Sequence, residues 1–283
     1  MTVTRISGLL RLFRFELPLT AGICVILGQI LALGAVPRWD EMVFGFLSFF
    51  CISATALILN DYFDIEIDRI NAPDRPLPSG RVTGRDVLIL SFVVALLGLA
   101  ASAVISLVAF LTTLLVWCVG ILYNWRFKRS GLVGNLMVAF SVGMTFVFGG
   151  ISVGQPTSVA AWWFGAIAFL MDLGEEIAAD AMDAEGDRVI GSRSLAIIHG
   201  RQQALRISAG VFGVLIAVSL LPFALGSMAP VYLIPLLTMD AVVLYAAARL
   251  LNPSTRNPRS QIRYIYLSGL VAVLMFIGIR LLM

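Results

Sequence analysis

The segment from Asn60 to Val82 reads NDYFDIEIDRINAPDRPLPSGRV and holds Asp61, Asp64, Glu66, Asp68 and Asp74. A second segment, DLGEEIAADAMDAEGD, holds Asp172, Glu175, Glu176, Asp180, Asp183, Glu185 and Asp187. These two stretches contain most of the 17 acidic residues in the chain. Asp61, Asp64 and Asp68 step by three and four, which puts them on one face of a helix. Asp172, Glu176, Asp180, Asp183 and Asp187 repeat that spacing. Like charges so placed repel unless a cation sits among them, and the cost is higher where water is scarce. An oxygen-only ligand set suits Mg²⁺, Mn²⁺ or Ca²⁺ rather than zinc or copper. His199 is the sole histidine, which excludes a multi-histidine transition-metal site.

Magnesium held by few carboxylates takes its remaining ligands from water and substrate phosphates. Cationic side chains that a diphosphate would need lie close by in sequence. Arg69, Arg75 and Arg81 lie in or just beyond the first cluster, and Arg188 and Arg193 follow the second. The segment YNWRFKR, Tyr123 to Arg129, adds Arg126 and the only lysine, Lys128. Each of these taken singly is explained by membrane topology; their combination with the acids favours a phosphate ligand. One Asp-rich loop is ordinarily a solvated surface. Two at equivalent positions, each followed by arginines, argue against that reading.

The elements that must position these residues are membrane helices. Mean hydropathy is +0.95, with 59% hydrophobic and 13% charged residues, outside the range of a soluble domain. Nine apolar segments are long enough to span a bilayer, near 15–36, 41–59, 87–105, 106–123, 132–153, 158–179, 204–225, 230–250 and 264–283. The run from Val87 to Tyr123 is too long for one helix and splits near Ser106. Alternating strands of a barrel are absent. The fold class is therefore an all-α polytopic membrane protein. With the N-terminus in the cytoplasm, 18 of the 20 Lys and Arg fall on the cytoplasmic side, leaving Arg38 and Arg280 outside. The predicted location is the plasma membrane, with the acidic clusters on the cytoplasmic side.

Both acidic clusters then begin at the cytoplasmic end of an even-numbered span, the second and the sixth. This placement predicts one domain over 1–283 with tandem four-helix repeats, 15–123 and 132–250, plus a ninth helix. Cys24, Cys51 and Cys118 lie within spans and read as small apolar side chains. The first apolar segment lacks a signal-peptide cleavage pattern. The formal charge of +3 is modest, and its arginines serve topology and anionic lipid, so nucleic acid is not implied. Pro222, Pro230 and Pro235 are expected to end or kink the seventh and eighth spans. NPSTRNP, Asn252 to Pro258, reads as the last cytoplasmic loop, and His199 as a helix-end residue. A cation-coupled transporter is the alternative of a different class, but it would bring acids to mid-span on broken helices. Here mid-span acids are at most Glu16, Asp172 and Asp240.

NDYFDIEIDRINAPDRPLPSGRV resembles the first Asp-rich motif, NDxxDxxxD, of the UbiA superfamily of intramembrane prenyltransferases. EIAADAMDAEGDRVIGSRSLAI is similar to its second Asp-rich motif, and YNWRFKRSGLVGN to the tyrosine/lysine segment between them. The resemblance implies nine transmembrane helices around a central cavity, with two Mg²⁺ ions holding the diphosphate of an isoprenyl donor and Mn²⁺ able to replace them. It maps the first motif onto Asn60, Asp61, Asp64 and Asp68, and the second onto Glu176, Asp180, Asp183 and Asp187. Arg75 and Lys128 become the main diphosphate contacts, with Arg81, Arg126 and Arg188 as further candidates. Tyr123 would donate a hydrogen bond or stabilise developing positive charge, its alternative being an aromatic anchor at the membrane interface.

Metals and cationic side chains would neutralise the departing diphosphate. A dry apolar cavity would shield the allylic cation from water. Members of the superfamily differ in acceptor. DRINAPDRPLPSGRVT and DAEGDR with GSRSLAI are most similar to the archaeal-type branch, which makes digeranylgeranylglyceryl phosphate from geranylgeranyl diphosphate and the hydroxyl of geranylgeranylglyceryl phosphate. The chlorophyll-synthase branch shares the RPLPSG-like and EGDR-like elements, and aromatic quinone precursors are further acceptors in the superfamily. Glu175 departs from the glyceryl-ether pattern, which has arginine before Glu176 and Ile177. The implied partners are thus an isoprenyl diphosphate, a hydrophobic lipid acceptor and membrane lipid.

Overall fold

The computed structural model describes residues 2–189, 191–252, 254–255 and 257–282, without the side chains of residues 2–4, Asp187 and Val189. Among the described residues all regular structure is helical. The first half holds α1 (Thr2–Leu12), α2 (Glu16–Leu33), α3 (Trp39–Phe63), α4 (Ile65–Asn71), α5 (Gly84–Ile105) and α6 (Leu107–Leu122). A π-helical turn, Tyr123–Phe127, closes α6. Then come α7 (Leu132–Ser152), α8 (Val159–Val189), α9 (Leu195–His199) and α10 (Arg201–Ala224). After a 3₁₀ turn at Pro230–Tyr232, α11 (Leu233–Leu251) and α12 (Pro258–Leu282) complete the chain.

Eight of these helical segments are long and apolar enough to cross a membrane among the described residues. They match eight of the nine spans read from the sequence. The remaining one belongs to α8, whose apolar stretch from Val159 ends at Asp172 and is followed at once by Glu175 and Glu176. Its carboxylates reduce the hydropathy of a helix that is nevertheless continuous over 31 residues. The split expected near Ser106 is present. Ser106 is extended (φ −172°, ψ 164°) and its hydroxyl accepts from the Ala109 backbone N–H at 3.1 Å, capping α6. Pro222 lies near the end of α10, Pro230 opens the 3₁₀ turn, and Pro235 falls in the first turn of α11. His199 is the last residue of α9 and exposed. Within NPSTRNP, Pro253 and Arg256 lie outside the described residues.

The chain forms two compact units. The first comprises 1–125 and 145–158, the second 126–144 and 159–283. In the first, α3 is central and packs on α2, α5 and α6. Small residues let backbones approach, as in many membrane bundles. A Cβ on Gly98 of α5 would lie 2.9 Å from Cys51 Cβ and 3.0 Å from the Ser48 carbonyl oxygen of α3. A Cβ on Gly28 of α2 would lie 2.5 Å from the Phe146 carbonyl oxygen, and one on Gly149 2.5 Å from that of Val25. Beside this crossing, the buried Gln29 donates to Ser152 Oγ at 2.9 Å and to the Glu41 carbonyl at 2.7 Å. The outer faces are apolar: on α5, Phe92 is 60% and Leu97 59% exposed, as lipid contact requires.

In the second unit α8 packs on α10 and α12, and α11 on α12. Ser208 Oγ of α10 donates to the Gly174 carbonyl at 2.7 Å, and Trp163 Nε1 donates to the Val218 carbonyl at 2.8 Å. Phe276 of α12 meets Phe164 edge-on at 4.9 Å and stacks on Tyr232 at 4.3 Å between ring centres.

Gly28→Val must push α2 away from the backbone around Phe146. Its expected cost is about 1–3 kcal/mol, the usual range for overpacking. Gly210→Ala in α10 meets open space and adds helix propensity, so it should be neutral or stabilising. Thermal unfolding in detergent separates the two; an unchanged midpoint for Gly28→Val would refute the close crossing.

Candidate active site

The first cluster is built where α3 ends. Its helix is interrupted at Asp64 (φ −94°, ψ 7°), which caps α3 and begins α4. The backbone ladder nonetheless continues: Asp64 N–H donates to the Asn60 carbonyl at 2.9 Å, and Asp68 N–H to that of Asp64 at 2.8 Å. The helical face read from the sequence therefore survives the interruption. Asp61 and Asp68 are buried, at 1% and 5% exposed, and Asp64 is half-buried.

Two arginines neutralise this face. Arg75 Nη1 donates to both carboxylate oxygens of Asp68 at 2.6 Å and lies 3.8 Å from Asp61. Arg14, from the elbow between α1 and α2, donates to Asp61 Oδ1. Burial disfavours the Arg75 cation, but Asp68, Asp61 and Asp64 outweigh it and raise its pKa above the ordinary arginine value, so it stays charged.

Arg75 is held by the loop that follows α4. Arg75 N–H donates to the Ala72 carbonyl at 3.0 Å, Ser79 N–H to that of Arg75 at 3.0 Å, and Val82 N–H to that of Pro76 at 3.2 Å. Gly80 supplies the left-handed turn (φ 73°). Leu77 and Val82 anchor the loop in a buried cluster with Leu12, Ala54, Ile58 and Val87. The motif PLPSGRV is thus a folded support for Arg75. Thr83 and Asp86 then form a reciprocal capping box at the start of α5, and Arg5 pairs with Asp86, tying α1 to it.

Asn60 Nδ2 donates to Asn124 Oδ1 at 3.3 Å, and Asn124 Nδ2 donates to the carbonyls of Ala56 at 3.0 Å and Gly120 at 3.1 Å. Asn124 lies in the π-helical turn, whose backbone irregularity is a common companion of functional sites. Tyr123 begins that turn and is half-buried, as is Lys128 just beyond it.

The second cluster runs along the last turns of α8. Asn135 Nδ2 of α7 donates to Asp180 Oδ2 at 2.9 Å, and Arg259 of α12 pairs with Asp183. Asp183 itself is exposed, whereas Asp172, Glu175 and Glu176 are half-buried. Asp172 Oδ2 and Glu175 Oε1 are inaccessible and have no hydrogen-bond partner among the described residues. Asp187 lies outside the described side chains. Below this segment, Gly131 (φ 67°) lies against the Arg193 carbonyl, and Arg193 N–H donates to that of Arg129 at 2.9 Å.

The structure brings Asp61 and Asp68, both expected as metal ligands, together with Arg75, expected as a diphosphate contact. Arg81, Arg126 and Arg188 are exposed and pair with none of the described carboxylates. Among the described residues no three Asp, Glu, His or Cys side chains are close enough to hold a metal ion as they stand. The donor set is all oxygen. Asp61 and Asp68 are balanced by guanidinium groups, and Asp172 and Glu175 keep oxygens without a partner among the described residues, so the chemistry of the donor set, rather than its present spacing, suits a hard cation. Arg14, Asn124, Asn135 and Arg259 were not singled out by spacing. Asp240, a mid-span acid, is buried and accepts from Ser219 Oγ at 2.7 Å.

The UbiA prenyltransferase family model matches residues 21–278, and the chain belongs to this family. It is therefore a multi-pass membrane prenyltransferase. Digeranylgeranylglyceryl phosphate synthase of Thermococcus gammatolerans is 38% identical over 82% of this chain and 83% of its own. The protein of that name in Pyrococcus furiosus is 31% identical over 96% and 97%. A solved structure concerned with digeranylgeranylglyceryl phosphate synthase in membranes superposes with a TM-score of 0.86 at 28% identity, covering 99% of both chains. A UbiA homolog from Archaeoglobus fulgidus, bound to GPP and Mg²⁺, shares the fold with a TM-score of 0.70 at 17% identity over 98% of this chain and 100% of that one.

The Arg75 pair predicts a stability difference between two loop arginines. Arg75→Gln leaves the buried Asp68 without its cation, while Arg81→Gln removes only an exposed charge. Because Arg75 is 36% exposed, about 1–2 kcal/mol is expected rather than the ~3–5 kcal/mol of a fully buried pair. Equal thermal midpoints for the two variants in metal-free detergent would refute the pairing.

Proposed function

We propose that the chain transfers a geranylgeranyl group from geranylgeranyl diphosphate to the hydroxyl of geranylgeranylglyceryl phosphate, in archaeal-type ether lipid synthesis. The observation that carries the reading is the convergence of Asp61 and Asp68 on Arg75 where α3 ends, in a chain that is 31–38% identical to synthases of that name. The active site is placed on the cytoplasmic side of the plasma membrane, which the 18 basic residues assigned to that side support. The same topology underlies the nine-span count and the repeats at 15–123 and 132–250.

Asp61, Asp64 and Asp68 in the first cluster, and Glu176, Asp180, Asp183 and Asp187 in the second, would hold Mg²⁺, directly or through water. Two ions are proposed, with Mn²⁺ able to take their place. When bound, the metal supplies charge neutralisation for the diphosphate. Asn60 is oriented by Asn124 and Asp180 by Asn135, so neither side chain is free to swing. Arg75 and Lys128 bind the diphosphate, with Arg81, Arg126 and Arg188 in outer positions. As the C1–oxygen bond of the donor breaks, the bonding electrons go to the diphosphate, whose growing charge Arg75 stabilises. The allylic cation left behind is protected by apolar surroundings and by Tyr123, whose ring face can stabilise positive charge. The acceptor oxygen then bonds to C1, and its proton passes to the departed diphosphate.

Purified protein should form product from geranylgeranyl diphosphate and geranylgeranylglyceryl phosphate, but not from 4-hydroxybenzoate, a naphthoate, homogentisate or chlorophyllide. EDTA should abolish turnover, and Asp64→Ala should lower it by about 10²-fold or more. Product from another acceptor alone would overturn the acceptor; undiminished product in EDTA would overturn the metal.

A further inference from the structure

The first unit has a shallow, open cavity of about 510 Å³ along α1 and the elbow after it, lined by Ile6, Ser7, Leu10, Arg11, Arg14 and Phe15. The lining divides by chemistry. Ile6, Leu10 and Phe15 are 57%, 53% and 44% exposed, an apolar floor left uncovered by protein. Arg11 is exposed and makes no ion pair among the described residues. Arg14, which also lines the cavity, donates to Asp61. Two guanidinium groups above an apolar floor match a phosphate monoester carrying a hydrocarbon chain, and no carboxylate lines the cavity to oppose it.

The backbone at this place is strained. Arg14 is the one non-glycine residue with positive φ among the described residues, at 43°. That conformation costs roughly 1–2 kcal/mol and persists only where the surroundings impose it. Here the surroundings are aromatic: Phe13 and Phe15 stack at 5.2 Å, and Phe15 meets Phe50 of α3 at 6.3 Å. The elbow therefore fixes Arg14 between the cavity and Asp61.

We propose that this cavity binds the phosphate of the acceptor lipid, with Arg11 as the specificity-determining contact, Arg14 shared with Asp61, and Ile6, Leu10 and Phe15 under the lipid chain. This rests on the glyceryl phosphate reading above and adds the site that recognises the acceptor's phosphate. Anionic lipid of the bulk bilayer offers the same charge but lacks the single isoprenoid chain.

The test is binding in EDTA, measured by calorimetry on the whole protein in detergent, with geranylgeranylglyceryl phosphate and its dephosphorylated alcohol as probes. Wild type should bind the phosphate at least about tenfold tighter than the alcohol, and Arg11→Gln should erase that difference. Arg11→Lys should keep part of it, showing that the loss follows charge rather than folding. The affinity for a non-hydrolysable geranylgeranyl diphosphate analogue should be unchanged in Arg11→Gln. A variant that still prefers the phosphate overturns the proposal while leaving the acceptor assignment intact. Equal competition by phosphatidylglycerol overturns it in favour of a bulk-lipid site. Failure of wild type to bind or prenylate the glyceryl phosphate, while it prenylates another acceptor, overturns the functional reading and this inference with it.

Discussion

Asp61 and Asp68 are almost wholly removed from solvent at the end of an apolar helix, and an isolated carboxylate in such surroundings is expensive. The features that set this region apart from a plain helix bundle follow from supplying them with cationic partners. Arg75 must reach back seven residues, so the chain after α4 folds into hydrogen-bonded turns instead of running directly to α5. Arg14 must reach Asp61 from the elbow between α1 and α2, where its own backbone is left-handed. Leu77 and Val82 fill a core with Leu12 and Ile58, and that packing holds both arginine-bearing segments against α3.

How much of this was legible in the sequence depends on the range of each signal. Spans defined by composition were readable because lipid imposes a length and a hydropathy on every helix. Ser106 was readable because a polar residue in an unbroken apolar run is an obvious place to cap, and the structure uses it so. Asp61, Asp64 and Asp68 were readable as one face because helical periodicity is local. Arg14 was not, since its partner is 47 residues away and its type is what topology alone would place there. Asn124 was hidden for a similar reason: it meets Asn60 across 64 residues, and nothing in YNWRFKR marks it above its neighbours. The same holds for Asn135 and Arg259, which bind the second cluster from α7 and α12.

The sixth span shows where composition and structure part. Hydropathy falls away at Asp172, Glu175 and Glu176, and the helix beyond them is read instead from the three- and four-residue spacing of the acids to Asp187. Glu is a good helix former, so acids spaced along α8 cost its backbone little. Their cost is electrostatic, and it is visible in the buried oxygens of Asp172 and Glu175 that find no donor among the described residues. Natural bundles rarely leave such groups without a role.

The two clusters differ in how their charge is balanced, and the difference bears on how substrate could be received. In the first, Asp61 and Asp68 are held by protein cations that are themselves about one-third exposed, with Arg14 at 34% and Arg75 at 36%. Such arginines can exchange a carboxylate for a phosphate without becoming buried alone. If a divalent cation joins the carboxylates, their negative charge no longer requires both guanidinium groups, which are then available to an incoming anion. Metal and phosphate would thus favour one another's binding through the same two arginines, because each removes the charge the other leaves unbalanced. Under the proposed function, the ion pairs at the end of α3 would serve stability before substrate arrives and recognition after it.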